Sequence, residues 1–323
     1  MNQHDRKDNK TPVARIAVLL SGVVLLAILV SVARLDDTPG GTKPDSPLIK
    51  KSKELLLKGG DYLLEGDNQL AIESFSQAIA LDPLNSDSFI QRAKAFVRLG
   101  QFADAVSDYS RAIELVDDDK ALLTERAIAY EDSGALAKAL EDLDLANSLD
   151  PADSLIHGHR GRVKAKMNNL DGAIEDLDSA IKLDDSRAEH FINRGSVWSK
   201  KNEFDRAMAD LDRAKELAPD SALVFLARAD AFLQASRKND AVAELESASK
   251  HVDDTGAILL ARARILLNQK KANAAVIDLT KVLEREPNHM DALLLRSQAY
   301  RSLGKEDKAK QDQDAVTRLR NGS

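Results

Sequence analysis

From Ser52 onward the small and apolar positions return every 34 residues, and residues 52–323 align with themselves at that shift without an insertion. Eight blocks result, 52–85, 86–119, 120–153, 154–187, 188–221, 222–255, 256–289 and 290–323. Position 8 of each block is small: Gly59, Ala93, Ala127, Gly161, Gly195, Ala229, Ala263 and Ser297. Position 20 is alanine in all eight, and position 24 is large and apolar in seven, from Phe75 and Tyr109 to Leu279. Position 27 is alanine, then Val282 and Val316 in the last two blocks. The spacing 20, 24, 27 places one apolar stripe on one helix face. Gly66, Gly100, Gly134 and Gly304 mark a turn at position 15. Each block is therefore predicted to be two antiparallel helices, with small residues at 8 and 20 letting them approach closely.

The only prolines in this region are Pro83, Pro151, Pro219 and Pro287, all at position 32 of odd-numbered blocks, while Asp117, Asp185 and Asp253 stand there in even ones. Both residue types close a helix and open a turn. With its small, alanine, aromatic and proline positions in this order, the block resembles the tetratricopeptide repeat, a helix–turn–helix unit of about 34 residues. The resemblance spans 52–323 and implies an all-α, right-handed superhelical solenoid. It also implies a groove lined by positions 2, 5, 6, 9, 12 and 13 of each first helix. Repeat 8 has Lys310 and Gln313 where other repeats are apolar, which reads as a polar cap.

The first 51 residues differ. They hold eight Lys or Arg against five Asp or Glu, leaving 38 against 48 in the repeats. Behind a basic tail (1–15) lies the uncharged run from Ile16 to Ala33, whose length as a helix, about 27 Å, matches a bilayer core. A transmembrane signal-anchor over 16–33 is expected, followed by a flexible Pro/Gly linker over 34–51. The expected localisation is a single-pass membrane protein with a cytoplasmic N-terminus and extracytoplasmic repeats. Two readings stay open beside it: a signal peptide cleaved near Ser31 and Ala33 with secreted repeats, or repeats on the cytosolic side.

One stretch, "DGAIEDLDSAIKLDD" (171–185), is dense enough in acids to suggest a metal or catalytic site. Its counterparts argue otherwise. Position 7 carries Arg92, Arg126, Arg160, Arg194, Arg228, Arg262 and Arg296 in repeats 2 to 8. Position 23 carries Asp108, Asp142, Asp176, Asp210, Glu244, Asp278 and Asp312 in the same seven. Repeat 1 lacks both, having Lys58 and Ser74. In a hairpin turning at position 15 these positions lie at one height, so structural Arg–carboxylate pairs are predicted within repeats and not between them.

The groove positions hold eight cations, Lys53, Lys94, Arg98, Arg162, Lys166, Lys200, Arg264 and Arg301. Facing them are seven acids, Asp87, Glu125, Glu131, Asp132, Glu189, Asp230 and Asp291. Within a strongly acidic domain this groove is locally basic. Lys94, Arg98, His159, Arg162, Lys166, Asn193, Lys200 and Arg264 are the candidate partner-binding residues, with an acidic or carboxylate-bearing peptide as the expected ligand. The family's carboxylate clamp needs Lys and Asn at set positions of consecutive repeats; only Asn193 matches.

No catalytic motif is present: no Walker loop, HExxH, GxSxG or calcium loop. There is no cysteine, and His157, His159 and His190 are the nearest thing to a metal cluster. The acidic balance and missing basic stripe disfavour nucleic acid. The expected function is a membrane-anchored, non-catalytic scaffold for a protein or peptide, with no cofactor and no small-molecule substrate. A cytosol-facing receptor or adaptor, or a non-catalytic regulatory subunit, is the alternative.

Overall fold

The computed structural model describes residues 46–116, 119–252 and 255–321. Among the described residues there are sixteen helices and no strand, and they come in pairs. Repeat 1 holds α1 (Pro47–Glu65) and α2 (Asn68–Leu81); repeat 2 holds α3 (Ser86–Arg98) and α4 (Phe102–Leu115). Then come α5 (Lys120–Asp132) with α6 (Leu136–Leu149), and α7 (Ser154–Lys166) with α8 (Leu170–Leu183). Repeats 5 and 6 contribute α9 (Ala188–Lys200), α10 (Phe204–Leu217), α11 (Ala222–Gln234) and α12 (Lys238–Ala248). The last four are α13 (Gly256–Asn268), α14 (Ala272–Arg285), α15 (Met290–Ser302) and α16 (Glu306–Arg320). Each pair packs internally and against the next, and successive first helices from α5 onward also touch, giving an all-α solenoid.

Local chemistry sets the helix ends. Asn85, Asp119 and Asp153 cap α3, α5 and α7 through side-chain oxygens. Each prolyl position-32 residue follows a C-cap whose N–H still reaches the carbonyl four residues back, as Asp82 does to Ala78. Pro has no N–H to continue the ladder, so the helix stops there. Asp117 and Asp253, expected in the same role, lie outside the described residues.

The turn at position 15 is left-handed in every repeat. Gly66, Gly100, Gly134 and Gly304 take it with φ between 68° and 87°. Asn168, Asn202, Ser236 and Lys270 take it at φ 60–63° in repeats 4 to 7. In all eight the following N–H reaches back five residues, as Gln101 to Phe96 and Lys271 to Leu266, both at 2.9 Å. This is the Schellman closure that satisfies the last carbonyls of each first helix.

Close approach explains the small position 8. A Cβ on Gly195 would stand 2.9 Å from Leu211 Cγ and 3.1 Å from the Ala207 carbonyl, which are positions 24 and 20 of the same repeat. At Gly59 the clash would be with the Phe75 ring at 2.4 Å. Position 20 is almost wholly inaccessible throughout, from Ala71 to Ala309.

The arginines of position 7 lie across this contact. Arg92 Nε and Nη2 donate to Asp108 Oδ2 and Oδ1 at 2.7 and 2.8 Å. The same fork joins Arg126 to Asp142 (2.8 and 2.7 Å) and Arg160 to Asp176 (3.0 and 2.5 Å). It recurs in Arg194–Asp210 (2.8 and 2.7 Å), Arg262–Asp278 (2.7 and 2.6 Å) and Arg296–Asp312 (2.9 and 2.8 Å). Arg228 makes one bond, 2.7 Å to Glu244 Oε1. The carboxylates are buried or nearly so, and the fork satisfies both oxygens of each aspartate.

The expectation that these arginines act only within repeats is corrected. Their third nitrogen, Nη1, crosses to position 25 of the preceding second helix. Arg92 reaches Ser76 (2.9 Å), Arg126 Ser110 (3.0 Å), Arg160 Asp144 (3.3 Å) and Arg194 Asp178 (2.6 Å). Arg228 reaches Asp212, and Arg296 Thr280 at 3.4 Å. Five guanidinium N–H groups in a fixed plane can serve two helices at once, where an ammonium could not keep the same geometry.

Two expectations about the N-terminal part change. Residues 47–51, placed in the flexible linker, form the first turn of α1, with Pro47 at a position that tolerates its missing N–H. The single-pass membrane assignment is overturned: among the described residues no helix is long and apolar enough to cross a membrane. The paired helices after α1 are 11 to 15 residues long, and at about 1.5 Å per residue they fall short of a ~30 Å hydrocarbon core. The run 16–33 lies outside the described residues, as do 1–15 and 34–45.

Two outcomes follow from the turn and the fork. Lys270→Gly removes a side chain from a left-handed backbone and should raise stability by about 1 kcal/mol, read as a shifted urea midpoint. Arg194→Ala strands Asp210 and should cost about 2–3 kcal/mol, part of which returns in Arg194→Ala/Asp210→Ala. Strict additivity in that cycle would show that the fork carries no coupling.

Candidate binding groove

A cavity of about 400 Å³ lies where α7, α9 and α11 run side by side, walled by positions 2, 5, 6 and 9 of repeats 4, 5 and 6 together with His190 at position 3 of repeat 5. Leu155, Ile192, Leu223, Leu226 and Ala227 supply apolar surface. His159, Arg162, Glu189, His190, Asn193, Ser196 and Asp230 supply the polar groups. A second cavity of about 240 Å³ continues towards repeat 7 and shares Leu226 and Asp230 with the first. Mixed apolar walls with a few convergent polar groups suit an inserted side chain.

Gly158 shapes the cavity. A Cβ there would come within 2.8 Å of His190 Cε1 and Nδ1, so only the bare backbone of α7 lets the His190 ring lie against it. His190 is 2% exposed, and its Nε2 has no hydrogen-bond partner. Burial, with Arg187 nearby, pushes its pKa below the ordinary histidine value, so the ring is held neutral. His159 is pushed the same way by burial and by Arg162, whose Nη2 lies 3.1 Å from its Nδ1.

The structure does not bring all eight candidate groove residues together. His159, Arg162 and Asn193 line the main cavity, and Arg264 lines the second. Lys94 and Arg98 stand on α3, two repeats away from α7. Most of the cations are already engaged. Arg162 Nη2 donates to Glu131 Oε2 at 2.8 Å, and Lys166 Nζ forms an ion pair with Glu131 Oε1 at 2.8 Å. The Glu131 side chain is 1% exposed, so the two cations compensate a buried charge on the neighbouring repeat. Arg98 donates to the Leu63 carbonyl at 2.7 Å and Lys200 to the Ala165 carbonyl at 3.2 Å, both the carbonyl of position 12 one repeat earlier. Arg264 pairs with Asp291 at 2.8 Å. Lys94 has no hydrogen bond or ion pair with a described residue.

The i, i+4 spacing of Arg162 and Lys166 correctly put both on one face, but their partner comes from α5 and could not be read from α7 alone. Two features escaped the sequence reading. Position 25 is a side-chain acceptor in repeats 1 to 7 (Ser76, Ser110, Asp144, Asp178, Asp212, Glu246, Thr280), a regularity as clear as positions 7 and 23. Gly158 differs from the larger residues at position 5 elsewhere. Of the histidines, His157 turns away from the cavity, with Nε2 3.0 Å from the Pro151 carbonyl of repeat 3 and Nδ1 3.8 Å from Asp176 of its own repeat. Among the described residues no group of three or more ligand-type side chains could hold a metal ion.

Charge reversal tests the role of Glu131. Arg162→Glu/Lys166→Glu sets two acids against a buried carboxylate and should lower stability by about 3 kcal/mol. An unchanged denaturation midpoint would show that Glu131 does not depend on them.

Comparison with known proteins agrees with this geometry. Residues 90–154 match a tetratricopeptide repeat family model, and residues 153–310 match the model described as Tetratricopeptide repeat protein 21 ARM repeat. A search of curated proteins gave no match. A tetratricopeptide repeat protein from Parabacteroides merdae is similar in structure with a TM-score of 0.64 at 20% identity, over 77% of this chain and 99% of that one. The APC/C hetero-tetramer Cut9–Hcn1 contains a chain that matches with a TM-score of 0.55 at 22% identity, over 74% of this chain and 45% of that one. Pseudomonas aeruginosa pilF matches with a TM-score of 0.51 at 16% identity, over 64% and 93%. At these identities the structural likenesses establish the fold. Together with the family models covering residues 90–310, they show that the chain is a tetratricopeptide repeat protein.

Proposed function

We propose that this protein is a non-catalytic scaffold that holds a peptide or protein segment on its first-helix face, centred on the cavity between α7, α9 and α11. Tetratricopeptide arrays are a peptide- and protein-binding fold family, and the similar chain in the Cut9–Hcn1 structure sits in a hetero-tetramer. The observation that carries the reading is the composition of the cavity wall. Positions 2, 5, 6 and 9 of three successive repeats converge there, leaving apolar surface beside Asn193, Ser196 and Asp230. Ile192 and Leu226 also pack against core clusters, whereas Asn193 makes no hydrogen bond within the chain and Leu223 is exposed, leaving these two open to a partner. An extended segment crossing three first helices, about 10 Å apart, would span roughly 20 Å, or six residues.

The acidic ligand suggested by counting groove cations loses most of its carriers, because Arg98, Arg162, Lys166, Lys200 and Arg264 are engaged within the chain and Lys94, which is not, stands two repeats from the cavity. Shape and the remaining open polar groups are then what select a partner.

Filling the cavity tests the site. Ala227→Trp should leave the helical circular dichroism signal intact and abolish partner capture. A photo-crosslinker at Ser196 should label the partner lost in that variant, whereas one at Lys182 on α8 should not. Equal labelling from both positions would move the binding surface away from the groove.

A further inference from the structure

Charge on the first-helix face is unevenly satisfied. Its cations next to the main cavity already have partners, Arg162 and Lys166 sharing the Glu131 carboxylate and Lys200 donating to a carbonyl. Its carboxylates do not. Glu189 and Asp230 both line the cavity, and neither makes a hydrogen bond or ion pair with a described residue. Resting on the groove reading above, we propose that the partner segment is basic, with a lysine or arginine side chain inserted into the α7–α9–α11 cavity and its cation against Asp230.

Three observations support that chemistry independently. First, Asp230 stands where the two cavities meet, beside Leu226 and Leu233. Its outer side meets water, yet the surrounding protein desolvates the carboxyl enough to push its pKa up. A carboxylate desolvated without a partner is relieved by an incoming cation. Second, the cavity joins these acids to apolar walls, Leu223 and Leu226 among them, which suit the aliphatic stem of a long basic side chain. Third, His190 is 2% exposed with Nε2 unpartnered, and Asn193 offers an amide with no intramolecular hydrogen bond. The Asn193 amide can meet the polar backbone of a bound segment.

Spacing refines the picture. Glu189 and Asp230 occupy positions 2 and 9 on neighbouring helices, about 10 Å apart along the helix axes. The helices themselves stand about 10 Å apart, so the two acids are roughly 14 Å from each other. Three extended residues cover about 10 Å, and the flexible stems of long basic side chains span the rest. Basic residues three apart would therefore place one cation at Asp230 and the second in the field of Glu189. Arg162 and Lys166 would repel an incoming cation, and their pairing with Glu131 offsets part of that field.

Three fluorescein-labelled nine-residue peptides of one apolar-polar framework, carrying Lys, Glu or Gln three residues apart, test this on the full chain by anisotropy. The Lys peptide should bind most tightly. Asp230→Asn should weaken it roughly threefold or more and leave the Gln peptide unchanged. Glu189→Gln should weaken it less, and added salt should reduce the Lys preference. Preference for the Glu peptide, or indifference of the Lys peptide to both substitutions, would overturn the basic-partner inference while leaving groove binding intact. If none of the three binds, or if Ala227→Trp leaves their binding unchanged, the groove reading falls and this inference with it.

Discussion

A buried carboxylate at position 23 must be paid for, and the position-7 arginine fork is what makes the rest of the stack possible. The acid sits on the second helix one residue before the large apolar position 24, deep in the contact that the small position 8 allows. Without a bidentate donor it would be an uncompensated charge in that contact. The guanidinium supplies the donor from the first helix and extends its third nitrogen to the preceding repeat. One side chain thereby ties three helices. In Asp176 the balance is visible: burial raises its carboxyl pKa, and the donors Arg160 and Lys164 outweigh this and hold it low. That contribution is present above the ordinary carboxylate range and fades as acid titrates the group through its lowered folded-state pKa.

Repetition makes this interaction additive along the chain. Each repeat contacts only its neighbours, so stability is a sum of local hairpins and local interfaces. The arginine belongs to both sums, through position 23 within the repeat and position 25 across the interface. Repeat 1 is the exception. It carries neither the arginine nor the acid, and there Lys58 lies over the Tyr62 ring 5.4 Å from its centroid while Ser74 is buried.

With the core and the interfaces secured by positions 7, 8, 20, 23, 24 and 25, the first-helix positions facing outward are released from structural duty. They nonetheless interact. Position 13 cations donate to the position 12 carbonyl one repeat earlier in Arg98 and Lys200, finishing the C-terminal end of the neighbouring helix. Glu131 at position 12 instead draws Arg162 and Lys166 towards repeat 3. A formal count of charges on this face thus misstates its field. Satisfied cations contribute little to a ligand, and two acids beside an apolar cavity contribute much.

The sequence by itself determined the helices, their pairing and the turn, because each depends on residues within one 34-residue block. The stripe 20, 24, 27, the prolines at position 32 and the arginine–carboxylate register all report on contacts whose partners lie sixteen residues apart or fewer. It also pointed to a structural role for Asp176, which meets Arg160, whereas the contact of Asp178 with Arg194 crosses to the next repeat and was legible only in the structure. Asn168 and Asn202 suit a left-handed turn by residue type. Tertiary structure alone decided the turns at Ser236 and Lys270, where closure of the hairpin overrides residue preference. It decided too that residues 47–51 are helical, and which groove charges remain open. Those outcomes rest on the neighbouring helix, on Glu131 for Arg162 and on Gly158 for His190, and no single block contains both members of such a pair. The cavity between α7, α9 and α11 is therefore a property of three stacked repeats rather than of any one of them.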